Sequence, residues 1–134
     1  MDKLADTYPY TVMDNEAGLE HLSRRTTQDT DLLLIISDSS VRGVMTAGRI
    51  GDLVKELNLN VKRAVLIVNR VQDGTSDDKS LQQAIAQQGV EFAGFVPADE
   101  MIFEYDLNGK PLIQLPADSK ALSDYFAILE KLIP

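Results

Sequence analysis

Apolar positions fall into two kinds of pattern along this chain, and the two alternate. Leu32-Leu33-Leu34-Ile35-Ile36 and Ala64-Val65-Leu66-Ile67-Val68 are unbroken apolar runs bounded by polar residues. Unbroken apolarity is what a parallel strand covered on both faces requires. Phe92–Val96 reads as a further strand ended by Pro97, and Tyr10–Met13 as a short one near the start. Between these runs the spacing becomes helical. Leu19 and Leu22 mark a helix over Glu16–Thr27, and Ile50, Leu53, Val54 and Leu57 mark one over Val44–Leu57. A third reads through Leu81, Ala84, Ile85 and Gln88 and stops at Gly89, with Thr75 and Asp78 ahead of it spaced like a capping box. Ala98, Met101, Ile102 and Tyr105 form the inner stripe of the next helix, which Asn108-Gly109 stops. Leu112–Leu115 reads as a short extended segment. The most regular stripe is the last: Leu122, Tyr125, Phe126, Leu129, Leu132 and Ile133.

Repeated strand–helix alternation predicts βαβ units with right-handed crossovers. The expected fold class is α/β: three layers, a mostly parallel sheet with helices on both faces. One domain is expected over residues 1–134, with Met1–Pro9 as a frayed lead-in. Composition supports a packed fold, since 44% of the residues are hydrophobic and 25% charged. A net charge of −8 argues against nucleic acid and against a membrane surface as partners, because neither phosphates nor anionic lipids would be neutralised. No apolar run approaches the roughly 18 residues of a transmembrane helix. The acidic N-terminus lacks a signal-peptide pattern. The chain has no cysteine, which excludes disulfides and thiolate metal sites and fits a cytoplasmic location.

Three polar elements end predicted strands: Asp14, Ser37-Asp38 and Asn69. In an open parallel sheet such positions share one edge, where ligands bind. Each also has a plainer reading. Asp14 or Asn15 would cap the following helix. Asn69 would brace the loop that begins at Arg70, whereas as a ligand its amide offers a purine ring both a donor and an acceptor. His21 has no second His or Cys to complete a metal site, and Glu20 with Arg24 is an ordinary i, i+4 pair. A single His and no Cys leave no nucleophile constellation.

Tyr10-Thr11-Val12-Met13-Asp14-Asn15-Glu16-Ala17-Gly18-Leu19-Glu20 resembles the D-x-x-A-G-x-E segment of the MinD/ParA ATPases. It is most similar to the CooC-like members, which assist nickel loading of carbon monoxide dehydrogenase. Two later stretches resemble the same family in order: Ile67-Val68-Asn69-Arg70, then Gly94-Phe95-Val96-Pro97-Ala98-Asp99 with Asn108-Gly109-Lys110-Pro111. The resemblance implies ATP and Mg as cofactors of the complete protein. Asp14 would hold a water on the Mg ion, and Ala17 and Gly18 would let the backbone approach the terminal phosphate. Glu16, Glu20, His21 and Arg24 would lie in the switch after it. Asn69, with Arg70, would read the adenine edge, and Pro97, Ala98 and Asp99 would flank the ring.

The sequence contains no G-x-x-x-x-G-K-[ST] stretch. In the resembled family that phosphate loop precedes the Asp-bearing strand, so the chain is expected to be a C-terminal part that is not an ATPase alone. The resemblance also places the phosphate-loop strand beside Leu32–Ile36. Its absence leaves an open apolar edge, to be filled by Tyr10–Met13 or by a second copy of the chain. The expected partners are a second copy or the N-terminal half, and a client metalloenzyme. Two rivals share the fold. A receiver-type signalling domain would use Asp38 as phosphoacceptor, although no acid pair ends the first strand and no Lys ends a later one. A catalytically silent interaction module would need no such groups.

Overall fold

A computed structural model describes residues 7–15 and 29–133. Three strands, β1 (Thr30–Ser37), β2 (Val61–Val71) and β3 (Glu91–Pro97), form a parallel sheet in the order β1-β2-β3. Helices α1 (Val41–Glu56) and α2 (Lys79–Ala86) connect them in turn, and α3 (Glu100–Leu107) and α4 (Lys120–Leu132) come after β3. Both βαβ steps advance in the same direction, so a single crossover hand puts α1 and α2 on one face. The second face is left for α3 and α4.

The central strand explains the layering. Val65, Leu66, Ile67 and Val68 are all buried, and successive side chains point to opposite faces. Leu66 and Val68 join Ile35, Val44 and Ala47 of α1, and Leu81, Ala84 and Ile85 of α2, in one core. Ile67 joins Val96, Ala121 and Ile128 in the other, with Leu34, Ala93, Ile102, Tyr125 and Leu132 packed against it. Burying a side chain such as Leu66 stabilises the fold by about 1.5–3 kcal/mol. The result is the expected three-layer α/β sandwich.

Helix starts follow their caps. α1 begins at Val41, earlier than the apolar spacing implies, because Ser40 Oγ accepts from Gly43 N–H at 2.9 Å. The capping box expected from Thr75 to Asp78 is not formed. Thr75–Asp77 is a 3₁₀ turn, and Asp78 itself caps α2 by accepting from Ser80 and Leu81 N–H, each at 2.9 Å. Ala98 lies outside α3, whose cap is Asp99. Leu112–Leu115 is not extended: Leu112–Gln114 is a 3₁₀ turn closed by Gln114 N–H donating to the Pro111 carbonyl at 3.0 Å.

The buried line of α4 is rotated from the expected stripe. Ala121 and Ile128 are buried, while Phe126 is 54% exposed. Gly94 of β3 provides the reason, since a Cβ there would stand 2.8 Å from Ile128 Cδ1. The helix therefore docks closest where the strand has no side chain.

Two further expectations fall in the first part of the chain. The Glu16–Thr27 helix lies outside the described residues. Tyr10–Met13 is described, and it is not a strand: it has no regular structure, with Tyr10 62% and Val12 91% exposed. A strand of four residues exists only through a ladder with a neighbour, and Tyr10–Met13 enters no ladder of the sheet. It does not fill the edge of β1, where β2 is the only paired neighbour among the described residues.

Candidate functional site

The carboxyl edge of the sheet collects the polar strand ends. Ser37 pairs in register with Val68, one residue before Asn69, and Val71 pairs with Pro97. Ser37, Asn69 and Pro97 thus share one edge, as a parallel set requires. Asp14 is not on it as the end of a strand, because Tyr10–Met13 is irregular; it is an exposed residue of a stretch without regular structure. Ala17 and Gly18 lie outside the described residues.

At the end of β2 the ladder breaks. Val68 pairs with Phe95 and Val71 with Pro97, so Asn69 and Arg70 form a bulge. Arg70 has φ of 57°, a left-handed conformation uncommon for a residue with a side chain. Asn69 Oδ1 accepts from Arg70 N–H at 2.8 Å and supports that conformation. This contact also settles the amide's orientation, because the oxygen must face the N–H. Nδ2 then points the other way as a donor, with no acceptor among the described residues. Asn69 is half-buried and the Arg70 side chain exposed. Bulges often re-aim side chains beside functional sites. The plainer reading of Asn69 is thus seen in its oxygen, which braces the loop that begins at Arg70.

Beside it, β1 leads into α1 through a local network. Ser37, itself buried, donates from Oγ to the Asp38 carbonyl at 2.8 Å. Asp38 Oδ1 accepts from Ser40 N–H at 3.0 Å and from Ser40 Oγ at 2.6 Å. A Cβ on Gly43 would meet that same Oδ1 at 2.2 Å, so the carboxylate folds over the helix start only because residue 43 is glycine. These bonds to Ser40 hold the Asp38 carboxyl below its ordinary range.

On the far side, Asp99 is bonded to the starts of two helices. Its Oδ1 accepts from Met101 N–H at 2.9 Å, and its Oδ2 accepts from Ser119 Oγ at 2.7 Å and Ala121 N–H at 3.2 Å. The Ser119 hydroxyl is the first cause that holds the Asp99 carboxyl below its ordinary range. Ser119, fully buried, is not among the residues that the sequence pattern singled out. Its signal was a hydroxyl just ahead of the most regular helix, the N-cap pattern.

Both carboxylates titrate below the unfolded range, so the unfolded chain takes up their protons first. Their contribution to stability is complete above the ordinary carboxylate pKa of about 4 and is lost as pH falls below it. The urea midpoint is therefore expected to drop between pH 5 and pH 3. In Asp99→Asn the drop is smaller, measured by fluorescence or circular dichroism.

Comparison with known proteins places this edge in context. No protein-family model matches the chain. An uncharacterised ATP-binding protein of Methanocaldococcus jannaschii is 39% identical over 133 residues, covering 99% of this chain and 52% of that protein. The carbon monoxide dehydrogenase accessory protein CooC of Rhodospirillum rubrum is 30% identical over 125 residues, covering 92% of this chain and 46% of its own length. The relatives are ATP-binding proteins and proteins of the MinD and CooC type. Among solved structures, the MinD cell division protein of Aquifex aeolicus superposes with a TM-score of 0.62 at 18% identity, over 77% of this chain and 44% of that one. The fold is therefore that of MinD, with parallel strands flanked by helices. The chain spans about half the length of the curated relatives it matches.

An amide N–H donor such as that of Asn69 is of a type that can bond a base edge. The phosphates need a cradle of backbone N–H groups and a Lys, and the sequence holds no such loop. Among the described residues no group of three or more His, Cys, Asp or Glu could hold a metal ion. No helix among them is long and apolar enough to cross a membrane.

Proposed function

We propose that this chain is the switch and base-recognition portion of a MinD/ParA/CooC-like maturation ATPase, and that it is not ATPase-competent by itself. One observation carries the reading: the half-buried Asn69 amide, its oxygen tied to Arg70 N–H at 2.8 Å, directs a donor from the carboxyl edge of the sheet. The ATP-binding relative that aligns with 99% of the chain supports it. Bound ATP supplies the hydrolysable terminal phosphate. Within this chain, Asn69 and Arg70 contact the base, the Pro97–Ala98 turn flanks it, and Asp14 holds a water on the Mg ion. Ala17 and Gly18 give the backbone room to close on the phosphates and to relax after hydrolysis. Phosphate cradling belongs to a second half, and the similarity to CooC supports a client metalloenzyme that receives nickel. The protein acts in the cytoplasm, with neither nucleic acid nor membrane as partner.

The test is Asn69→Ala in the chain joined to the phosphate-loop half of a relative. With its oxygen held by Arg70 N–H, the Asn69 amide offers adenine one donor, which suits the N1 acceptor and not the N1–H of guanine. Its loss is expected to reduce the preference for ATP over GTP about fivefold, since one such bond contributes about 1 kcal/mol. An unchanged preference rejects Asn69 as the base reader.

Assembly is the second question, and it turns on the β1 edge. Its outward side has no strand partner among the described residues, and Ile36 is 52% exposed. Such an edge pairs with another chain unless it is covered, and an edge lysine disfavours that pairing. The isolated chain is therefore expected to dimerise through β1, and Ile36→Lys to lower the mass seen by sedimentation. A monomeric wild type in dilute solution would remove this proposal.

A further inference from the structure

We infer that Asp99 is a positioning residue of the base site, acting through the Pro97–Ala98 turn and not by touching a ligand; this rests on the base-site reading above. Its carboxylate receives donors from two helix starts at once. Met101 N–H belongs to the first turn of α3, while Ser119 Oγ and Ala121 N–H belong to the start of α4. Ser119 Oγ accepts in turn from Leu122 N–H at 3.2 Å, so the fully buried hydroxyl both donates to Asp99 and caps α4. A negative group shared by two helix N-termini is stabilised by both dipoles.

The tie matters because α3 has little else to hold it. None of its residues is buried, and Ile102 is the one that packs on the second core. The turn ahead of it is fastened on the other side to the Asn69 bulge. Pro97 pairs with Val71, and Ala98 N–H donates to the Val71 carbonyl at 2.9 Å. Pro97–Ala98 is thus held between two anchors, the end of β2 and the Asp99 carboxylate. Without the second anchor, α3 and the turn open locally while the sheet remains intact. The wall beside the Asn69 donor then loses its fixed position.

The experiment uses the 134-residue chain. Amide hydrogen exchange is measured by NMR in wild type, Asp99→Ala and Ser119→Ala, followed by titration with adenosine and with guanosine at millimolar concentration. Asp99→Ala is expected to speed exchange at Ala98, Met101 and Ala121 about tenfold or more, the effect of losing part-buried charge-assisted bonds. Leu66 and Val68 stay protected. Ser119→Ala, which keeps the Met101 contact, gives a smaller increase at Ala98 and Ala121 and none at Met101. The shift that adenosine induces at Asn69 Nδ2 is weakened in both variants. Unchanged exchange at Ala98 in both variants overturns the proposal. A wild type that responds equally to the two nucleosides, with Ala98 still freed by Asp99→Ala, upholds the tie and rejects the base reading alone.

Discussion

Mg-ATP titrated into this chain by itself is expected to give no saturable heat at micromolar concentrations. Most affinity for a nucleotide in such sites comes from a backbone N–H cradle, a helix N-terminus and a Lys facing the phosphates. The start of α1 does not substitute. The Asp38 carboxylate lies over it, bonded to Ser40, and Ser40 Oγ takes the Gly43 N–H. A net charge of −8 further repels the polyanion. What remains, on the reading proposed above, is a small set of base contacts at Asn69 and the Pro97–Ala98 turn, each worth about 1 kcal/mol net. Rigid-body association costs about 4 kcal/mol or more. The balance falls far short of the roughly 8 kcal/mol that a micromolar constant needs. Joining the chain to the phosphate-loop half of a relative is expected to bring it to the micromolar range. A low-micromolar constant for the chain alone would reveal a phosphate site elsewhere in it.

Gly94→Val is expected to destabilise the fold by roughly 3 kcal/mol, read as a lowered urea midpoint with an unchanged slope. Two separate effects produce this. Gly94 has φ of 156°, a region that a β-branched residue does not enter without strain. A Cβ would also stand 2.8 Å from Ile128 Cδ1 and 3.0 Å from Cγ1, at the closest approach of α4 to β3. The two are separable by a double-mutant cycle. Ile128→Val removes the Cδ1 atom, so in the Gly94→Val background it relieves the closer of the two contacts and leaves the Cγ1 contact and the strain. A double variant as unstable as the sum of the single ones would mean that Ile128 is not the obstacle. A Gly94→Val chain as stable as wild type would show that β3 and α4 relax freely around the new side chain.

Local pattern carried the architecture. The runs Leu32–Ile36 and Ala64–Val68 identify the two strands that adjoin in the sheet, because covered parallel strands need apolar residues on both faces. Strand–helix alternation then determined the parallel order and the common edge for Ser37, Asn69 and Pro97, since each strand runs in the same direction. Tyr10–Met13 shows where that inference stops. Its residues favour a strand, but a strand needs a neighbour to bond, and sequence spacing does not say whether one is present. The stripe on α4 was right except at Phe126, and its most buried line, Ala121 and Ile128, was not predicted, for a related reason. Helical periodicity identifies an apolar side, while the exact line of burial depends on the surface it meets, here the gap at Gly94.

Side-chain roles at the edge were decided by tertiary structure alone. The amide at Asn69 could be read as a ligand or as a brace, because it serves either, and the carboxylate of Asp99 was given no bonding partner by the sequence. For Asn69 the bulge decides, turning its oxygen to Arg70 N–H and its nitrogen outward. For Asp99 the deciding partner is Ser119, twenty residues further along the chain, whose buried hydroxyl draws the carboxylate inward at 2.7 Å. Hydrogen bonds are short-ranged and directional, so which group satisfies a polar atom depends on where the folded chain brings its partners. Residue order determined the layers and the common edge; only the bulge at Asn69 and the packing that brings Ser119 to Asp99 determined which of its polar atoms are bonded within the fold.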